Sequence, residues 1–582
     1  MLVWLVGCVT GKAVLLPGDG VPGPWAPTLS VVDRASDVGY QDYAFHASFK
    51  RGRSCSIADF DSDGNLDIFV GNPFDTSYLL RNVGTDGAPQ FEAAAPILEG
   101  EFPWSAPAAD YDRDGDTDLF LSTGGIEAPG FDLLLRNDLV ETGIYKFTDV
   151  TDVAGVAGGA SPLTGEPLPA MSVGAQWVDL DRDGDLDLHV DTGVYPSLLV
   201  EAPPGSSVAR TLVWRNDDGV FTDITNSIGL SLQGLGRFSI WFDYDLDGDL
   251  DLYQNHFAST PQTLWRNDLV ETGTLGFTDV SGAMSLGPDT DVSMPLEVFS
   301  SSTADVNNDG WPDVVQFVRG VPDQGPYGEG HVLLINVAGT GFVAVQDIAG
   351  LDVGAPPSPL RDHTDAGVMG SSVVDATGDG LPDVYVGNGG PATGNRDQWF
   401  VARELIEVEL EGVGVVVVPI YEDRSDLVDF PAAVSEGPPD AYPPYPYRTH
   451  AVCIADIDRD GFVDIAVTNG GMFLIGGDAA KEPNRLFQVV VEPRPHFIRA
   501  RMVGDDFGAR VTVRAVDAAG EDFQVVRFHW SREGFGASNG PELFFGLRDA
   551  VGKVEVEVRW SDGTIEDLGS VQLDSDLIVT RR

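Results

Sequence analysis

Apolar residues come in short runs along this chain, and each run follows a nine-residue stretch dominated by aspartate. In Asp110-Tyr111-Asp112-Arg113-Asp114-Gly115-Asp116-Thr117-Asp118, acidic side chains stand at positions 1, 3, 5 and 9, and glycine at position 6. The same spacing returns at 59–67, 179–187, 243–251, 305–313, 375–383 and 456–464, which makes seven copies. The runs that leave these stretches, such as 66–70, 119–122 and 186–190, are almost continuously apolar, as expected of strands covered on both faces. A strand before each stretch, as at 54–58, makes it the turn of a hairpin. Two further marks keep phase. An apolar pair followed by Arg-Asn stands at 79–82, 134–137, 213–216 and 264–267, and a Phe-Thr-Asp element at 147–151, 221–225 and 277–281. Residues 136–150 and 266–280 agree at all but three positions, so the units are duplicated. Four short strands per unit, repeated radially, predict a propeller blade. The expected fold is all-β: a seven-bladed β-propeller with calcium loops and a small C-terminal β domain.

The pattern also divides the chain. Residues 28–492 are assigned to the propeller and 493–582 to a separate β domain, with period-two strands expected at 498–502, 510–516, 525–530 and 554–560. The seventh unit runs out of strand at 492–495, where prolines interrupt. Residues 29–34 resemble a fourth strand with no blade before it, and they are expected to complete the seventh blade and lock the ring. Residues 404–447 are read as an insertion in the sixth blade, ending in a Pro- and Tyr-rich surface loop at 438–447. In segment 1–27, Leu5-Val6-Gly7-Cys8 looks like a bacterial lipobox, which implies a lipid on Cys8, and a Gly- and Pro-rich tether follows.

The repeated loop carries the chemistry. Calcium takes six to eight oxygens, and an Asp-rich loop with glycine at position 6 delivers them within one turn. The expected ligands are Asp59, Asp61, Asp63, Asn65 and Asp67; Asp110, Asp112, Asp114, Asp116 and Asp118; Asp179, Asp181, Asp183, Asp185 and Asp187; and Asp243, Asp245, Asp247, Asp249 and Asp251. The later loops give Asp305, Asn307, Asp309, Trp311 and Asp313; Asp375, Thr377, Asp379, Leu381 and Asp383; and Asp456, Asp458, Asp460, Phe462 and Asp464. Position 7 varies freely in side chain and is expected to ligate through its carbonyl. Position 9 is expected to close the shell as a bidentate carboxylate. Asn307 and Thr377 at position 3 predict weaker binding in loops five and six. Up to seven calcium ions, all structural, are expected, coupling metal to folding.

Other features narrow the function. Asp and Glu number 91 against 35 Lys and Arg, a field that repels nucleic acid and anionic membrane surfaces. Three cysteines are too few for a disulfide scaffold or a cysteine-based zinc site. Cys55 and Cys453 precede the first and last loops. A closed ring would bring them together for a disulfide, with two buried thiols as the plainer expectation. The histidines form no metal pair, and no nucleophile elbow is present. His189, His363 and His450 are expected to pack in the core, as are Trp214, Trp241 and Trp265. No catalytic set is assigned.

The Asp-rich loop, the apolar run and the Arg-Asn mark together resemble the FG-GAP/VCBS repeats of integrin α-subunit propellers and many bacterial surface proteins. Gly508-Ala509-Arg510-Val511, Gly534-Phe535-Gly536, Leu543-Phe544-Phe545-Gly546-Leu547 and Val556-Glu557-Val558-Arg559-Trp560 resemble the ASPIC/UnbV domain. Repeats and domain in this order are similar to the cartilage acidic protein family and its bacterial relatives. The resemblance implies secretion or surface anchoring, calcium binding, and an adhesion or binding role towards an extracellular protein or polysaccharide. That ligand is expected on the propeller face opposite the calcium hairpins. The alternatives are a polysaccharide lyase or hydrolase with its site in the channel, which predicts a convergent acid, base and arginine there, and a purely structural module of a surface assembly.

Overall fold

The computed structural model describes residues 14–15, 27–40, 54–72, 76–94, 97–101, 103–124, 130–157, 169–193, 211–230, 236–256, 261–286, 297–318, 330–351, 368–388, 397–428, 449–469, 484–504, 507–530 and 537–581. The lipobox, residues 438–447, His363 and residues 534–536 lie outside them. The described chain is built almost wholly of strands in nine sheets. No helix among the described residues is long and apolar enough to cross a membrane.

Seven sheets share one plan. In the third, Ser172–Val178, Asp187–Thr192, Leu212–Asp217 and Val220–Asp223 pair in chain order, all antiparallel. The Asp-rich loop joins the first strand to the second. Each second strand is buried along its whole length, as its unbroken apolar run requires. In the seventh sheet the outer strand is Thr28–Asp33, which pairs antiparallel with Arg485–Glu492 as expected for residues 29–34. That sheet's first strand, Thr449–Ala455, lies against the first strand of the first sheet, Ser54–Ala58. Cys55 and Cys453 on these two strands form a disulfide, with Cα atoms 6.2 Å apart. The expectation of two buried thiols gives way because first and last units are direct neighbours.

The insertion expected at 404–447 is smaller than its bounds suggested. The third strand of the sixth sheet runs long, Gln398–Leu410, and turns back as Gly414–Asp423, which is that sheet's own fourth strand. This unit lacks the Phe-Thr-Asp mark, so its outer strand was taken for added chain. Its Asp423 and Ser425 nonetheless do the work of that mark: the Ser425 hydroxyl accepts the Trp399 amide, as Thr151 accepts that of Leu134.

The C-terminal residues build two sheets. Phe497–Val503 pairs with Glu542–Gly546 and, in parallel, with Ser575–Thr580. Asp522–His529, Ala509–Val516, Lys553–Arg559 and Ile565–Gln572 form the other. This region has a core of its own, from Ile498 to Val579, and it also packs against the ring. Val526, Phe528 and Trp530 are buried in one cluster with Trp241 and Phe242 of the fourth sheet. The short strand Ala537–Ser538 runs parallel to Cys55–Ser56. His189, Trp241 and His450 are buried as expected, whereas Trp265 is only partly buried.

Candidate metal centre

All seven loops adopt one backbone. Position 4 is left-handed in each: Ser62, Arg113, Arg182, Leu246, Asn308, Gly378 and Arg459 have φ between 56° and 69°. Position 6 is always glycine, with φ from 89° at Gly380 to 107° at Gly248, where a side chain is strained. This fold turns the amides inward. In loop one the Gly64 N–H donates to Asp59 Oδ2 at 3.0 Å and the Asp63 N–H to Asp59 Oδ1 at 3.1 Å.

Position 9 has a second task. The Asp187 carboxylate accepts the Leu180 amide on one oxygen and the Asn216 amide on the other, at 3.1 and 2.8 Å. Asp67, Asp118, Asp251 and Asp313 do the same. This carboxylate therefore ties the loop to the third strand, and each oxygen keeps one lone pair for an ion. The Arg-Asn mark now has a reason. Asn137, Asn216, Asn267 and Asn336 each donate to the position-2 carbonyl of the preceding loop, on Phe60, Tyr111, Leu180 and Tyr244. The asparagine thus latches the second, third, fourth and fifth sheets each to the one before it.

The carboxylates converge. Ligand oxygens of Asp59, Asp61 and Asp67 lie within 4.8 Å of one another, as do those of Asp110, Asp112 and Asp118, of Asp179, Asp181 and Asp187, and of Asp243, Asp245 and Asp251. Several oxygens are buried with no hydrogen-bond partner, among them Asp179 Oδ1, Asp181 Oδ1, Asp245 Oδ1, Asp456 Oδ1 and Thr377 Oγ1. Folded proteins pair the large majority of their buried side-chain polar atoms. Burial first, then mutual repulsion, raises their pKa values: about 8 for Asp67 and Asp187, about 9 for Asp118 and about 7 for Asp179. Hard, closely spaced and unpaired oxygens are the donor set of a calcium ion. In loop five the Asn307 NH2 donates to Asp309 and the Val417 carbonyl, while its Oδ1 accepts the Asp309 amide as Asp61 Oδ1 accepts that of Asp63.

The loops differ in what covers them. The position-1 carboxylates Asp59, Asp110 and Asp179 are half-buried, while Asp243, Asp305, Asp375 and Asp456 are buried beneath the C-terminal strands. Arg559 donates to the Leu246 carbonyl of loop four, and Arg510 to that of Gly310 in loop five. Gly248 is required twice over, because the Ser561 carbonyl sits where a Cβ would go. Arg548 donates to the Asp379 carbonyl of loop six. Two arginines of the C-terminal region reach loop carboxylates directly: Arg527 Nη2 lies 3.3 Å from Asp375 Oδ2, and Arg499 Nη1 lies 2.5 Å from Asp456 Oδ2. A cavity of about 190 Å³ lies here, lined by Ser302, Ser372, Ile454, Asn539 and these two arginines. Its arginines are engaged with the loop carboxylates rather than free for a substrate.

Sequence reasoning missed these arginines and also Glu141 and Glu271, which follow the third strands of the second and fourth sheets. Glu141 lies within the same 4.8 Å of Asp112 and Asp114. The duplication of residues 136–150 and 266–280 was the signal available, since it preserves both glutamates.

An FG-GAP-like repeat family matches residues 59–121, and the ASPIC and UnbV family matches residues 503–582. Cartilage acidic protein 1 of Mus musculus is 25% identical over 237 residues, covering 40% of this chain and 32% of its own length. The Xenopus tropicalis protein of that name is 28% identical over 167 residues, covering 28% of this chain and 23% of its own length. The chain thus spans about a third or less of the length of these relatives. Among solved structures, BBS1N in complex with ARL6DN is similar at a TM-score of 0.37 and 9% identity, over 77% of this chain and 93% of that one. YCF48 bound to D1 peptide is similar at 0.34 and 9%, over 82% and 96%.

Proposed function

We propose that this chain, which carries an FG-GAP-like repeat and an ASPIC and UnbV region, is a calcium-stabilised, seven-bladed propeller that works outside the cell as a binding module. The observation that carries the reading is the sevenfold loop: one backbone in all seven, with buried carboxylate oxygens that lack partners in loops two, three, four and seven. Asp, Asn and Thr side chains at positions 1, 3 and 5, the position-7 carbonyl and the position-9 carboxylate would hold each ion. A bound ion would neutralise the repulsion within the loop and fix the hairpin of its blade.

The Cys55–Cys453 bridge supports an oxidising compartment. The C-terminal region, a small β domain locked over loops four to seven, leaves the opposite side of the ring for a partner. The connections on that side fall largely outside the described residues. An extracellular protein or polysaccharide is the partner class, since the acidic surface disfavours nucleic acid and anionic lipid.

The test presents the full chain, in millimolar calcium and in chelator, to panels of matrix proteins and extracellular glycans, with calcium uptake measured in parallel. Calcium uptake with a calcium-dependent binder is expected. Loops that take up no calcium would overturn the metal reading, and uptake without any binder would overturn the binding role.

A further inference from the structure

Two of the seven loops have an acidic neighbour from outside the repeat motif. In the second sheet the third strand, Leu133–Asn137, runs into a single helical turn, Leu139–Thr142, and in the fourth sheet Thr263–Asn267 runs into Leu269–Thr272. The two turns have the same sequence, and the same bond seats each. The Val140 amide donates to Asp116 Oδ2 at 2.9 Å, and the Val270 amide to Asp249 Oδ2 at 2.8 Å. The turn thereby carries Glu141 to Asp112 and Asp114, and Glu271 to the field of Asp245, Asp247 and Asp249. In the third and fifth sheets a tight turn takes this place, closed by Gly219 and Gly339 on the asparagines Asn216 and Asn336.

An acidic cluster alone says little, but here a further atom points to a cation. Asp116 is 2% exposed and Asp249 1% exposed, and in each the oxygen not used by the helical turn, Oδ1, is buried without a hydrogen-bond partner. The charges acting on Asp116 are those of Asp114, Glu141 and Asp112. The same buried, half-satisfied carboxylate therefore occurs twice, and both times in a loop that has gained a glutamate. Arg136 and Arg266 stand by as local counter-charges, with Nε 2.8 Å from Glu141 and 3.1 Å from Glu271. Each also pairs with an aspartate, Asp138 or Asp268, and can keep that partner if the glutamate turns to an ion.

We infer that Glu141 and Glu271 are additional calcium ligands, placed by the helical turn after the third strand, and that they make loops two and four the tightest divalent-cation sites of the protein. The inference rests on the calcium reading above. Affinity in oxygen-ligand sites follows the charge count of the ligands and the rigidity of the site, and a carboxylate in place of water raises the charge.

The experiment is calorimetric titration of the full chain with calcium, comparing wild type, E141Q, E271Q and the double variant. Both glutamates sit on exposed single turns, and thermal melting in saturating calcium checks that the fold is kept. Wild type should show two sites tighter than the rest, and the double variant should lose that class by about tenfold or more in Kd, with the remaining sites unchanged. R136M separates ligation from a merely structural ion pair. It should leave the tight class unchanged or strengthen it, because Arg136 competes with the ion for Glu141. A double variant that titrates like wild type overturns the inference and leaves the calcium reading standing, as does an R136M protein that loses the tight class as E141Q does. A wild-type protein that takes up no calcium overturns both.

Discussion

Loops one to three and loops four to seven have the same spacing and the same backbone, yet they live in different surroundings. In the first group the position-1 aspartate is half-buried, and Ser62, Asp63, Arg113 and Asp183 reach solvent. In the second group that aspartate is buried, loop six wholly so, and the C-terminal strands supply what solvent supplies elsewhere. Arg527 and Arg499 bring positive charge to Asp375 and Asp456, and Arg510, Arg548 and Arg559 donate to loop carbonyls. One motif is thus used in two ways. In the open loops no C-terminal guanidinium reaches the aspartates; Arg81, from the first sheet's own third strand, pairs with Asp61, and Arg113 pairs with Asp185. In the capped loops part of the aspartate charge is balanced by tethered guanidinium groups, and the ring and the C-terminal sheets share one buried surface.

The largest effect expected from this contrast is that of chelation. Each calcium present at a hundred times its Kd adds about 2.7 kcal/mol, so removing several should lower Tm by roughly ten degrees or more. Hydrogen exchange should then rise first at 59–67, 110–118 and 179–187, which no C-terminal strand covers. Equal exchange in all seven loops would break the comparison. The chelated protein should also depend on pH. The raised pKa values of Asp67, Asp118, Asp179 and Asp187, about 7 to 9, mean that the folded chain holds protons that the unfolded chain has lost above about 4. Their contribution is therefore full below pH 4 and is lost as pH rises through 7 to 9, so Tm in chelator should fall from pH 5 to pH 9. Calcium should flatten that slope by taking the place of the protons.

A smaller but sharper effect is expected at Arg527. Arg527→Met leaves Asp375 buried without its charge partner, which costs about 3 to 5 kcal/mol in urea unfolding. Millimolar calcium should recover part of the loss if an ion can enter loop six. The smallest effect belongs to the open group. Arg113, 45% exposed, pairs with Asp185 across loops two and three, and Arg113→Ala should change stability by no more than about 1 kcal/mol. A larger loss would show that the open loops are also cross-braced.

The sequence alone determined the seven hairpins, because a nine-residue turn with a required glycine and fixed carboxylates leaves a local signature. It also placed the strand at 29–34, because a sheet missing one edge and a stray strand are complementary. It showed the Arg-Asn and Phe-Thr-Asp marks without their meaning, since the amide and carbonyl that those side chains satisfy belong to other strands and other sheets. The disulfide was undecided because 398 residues separate its cysteines, and only closure of the ring makes them neighbours. The fourth strand of the sixth sheet was misread because it carries Tyr421-Glu422-Asp423 where other units carry Phe-Thr-Asp. What only the tertiary structure decided is which loops are capped. Arg499 and Arg527 lie in ordinary alternating strands, and nothing local shows that their guanidinium groups end on aspartates 43 and 152 residues earlier. A motif is written by its own turn, but its electrostatic surroundings are set by whatever packs against it.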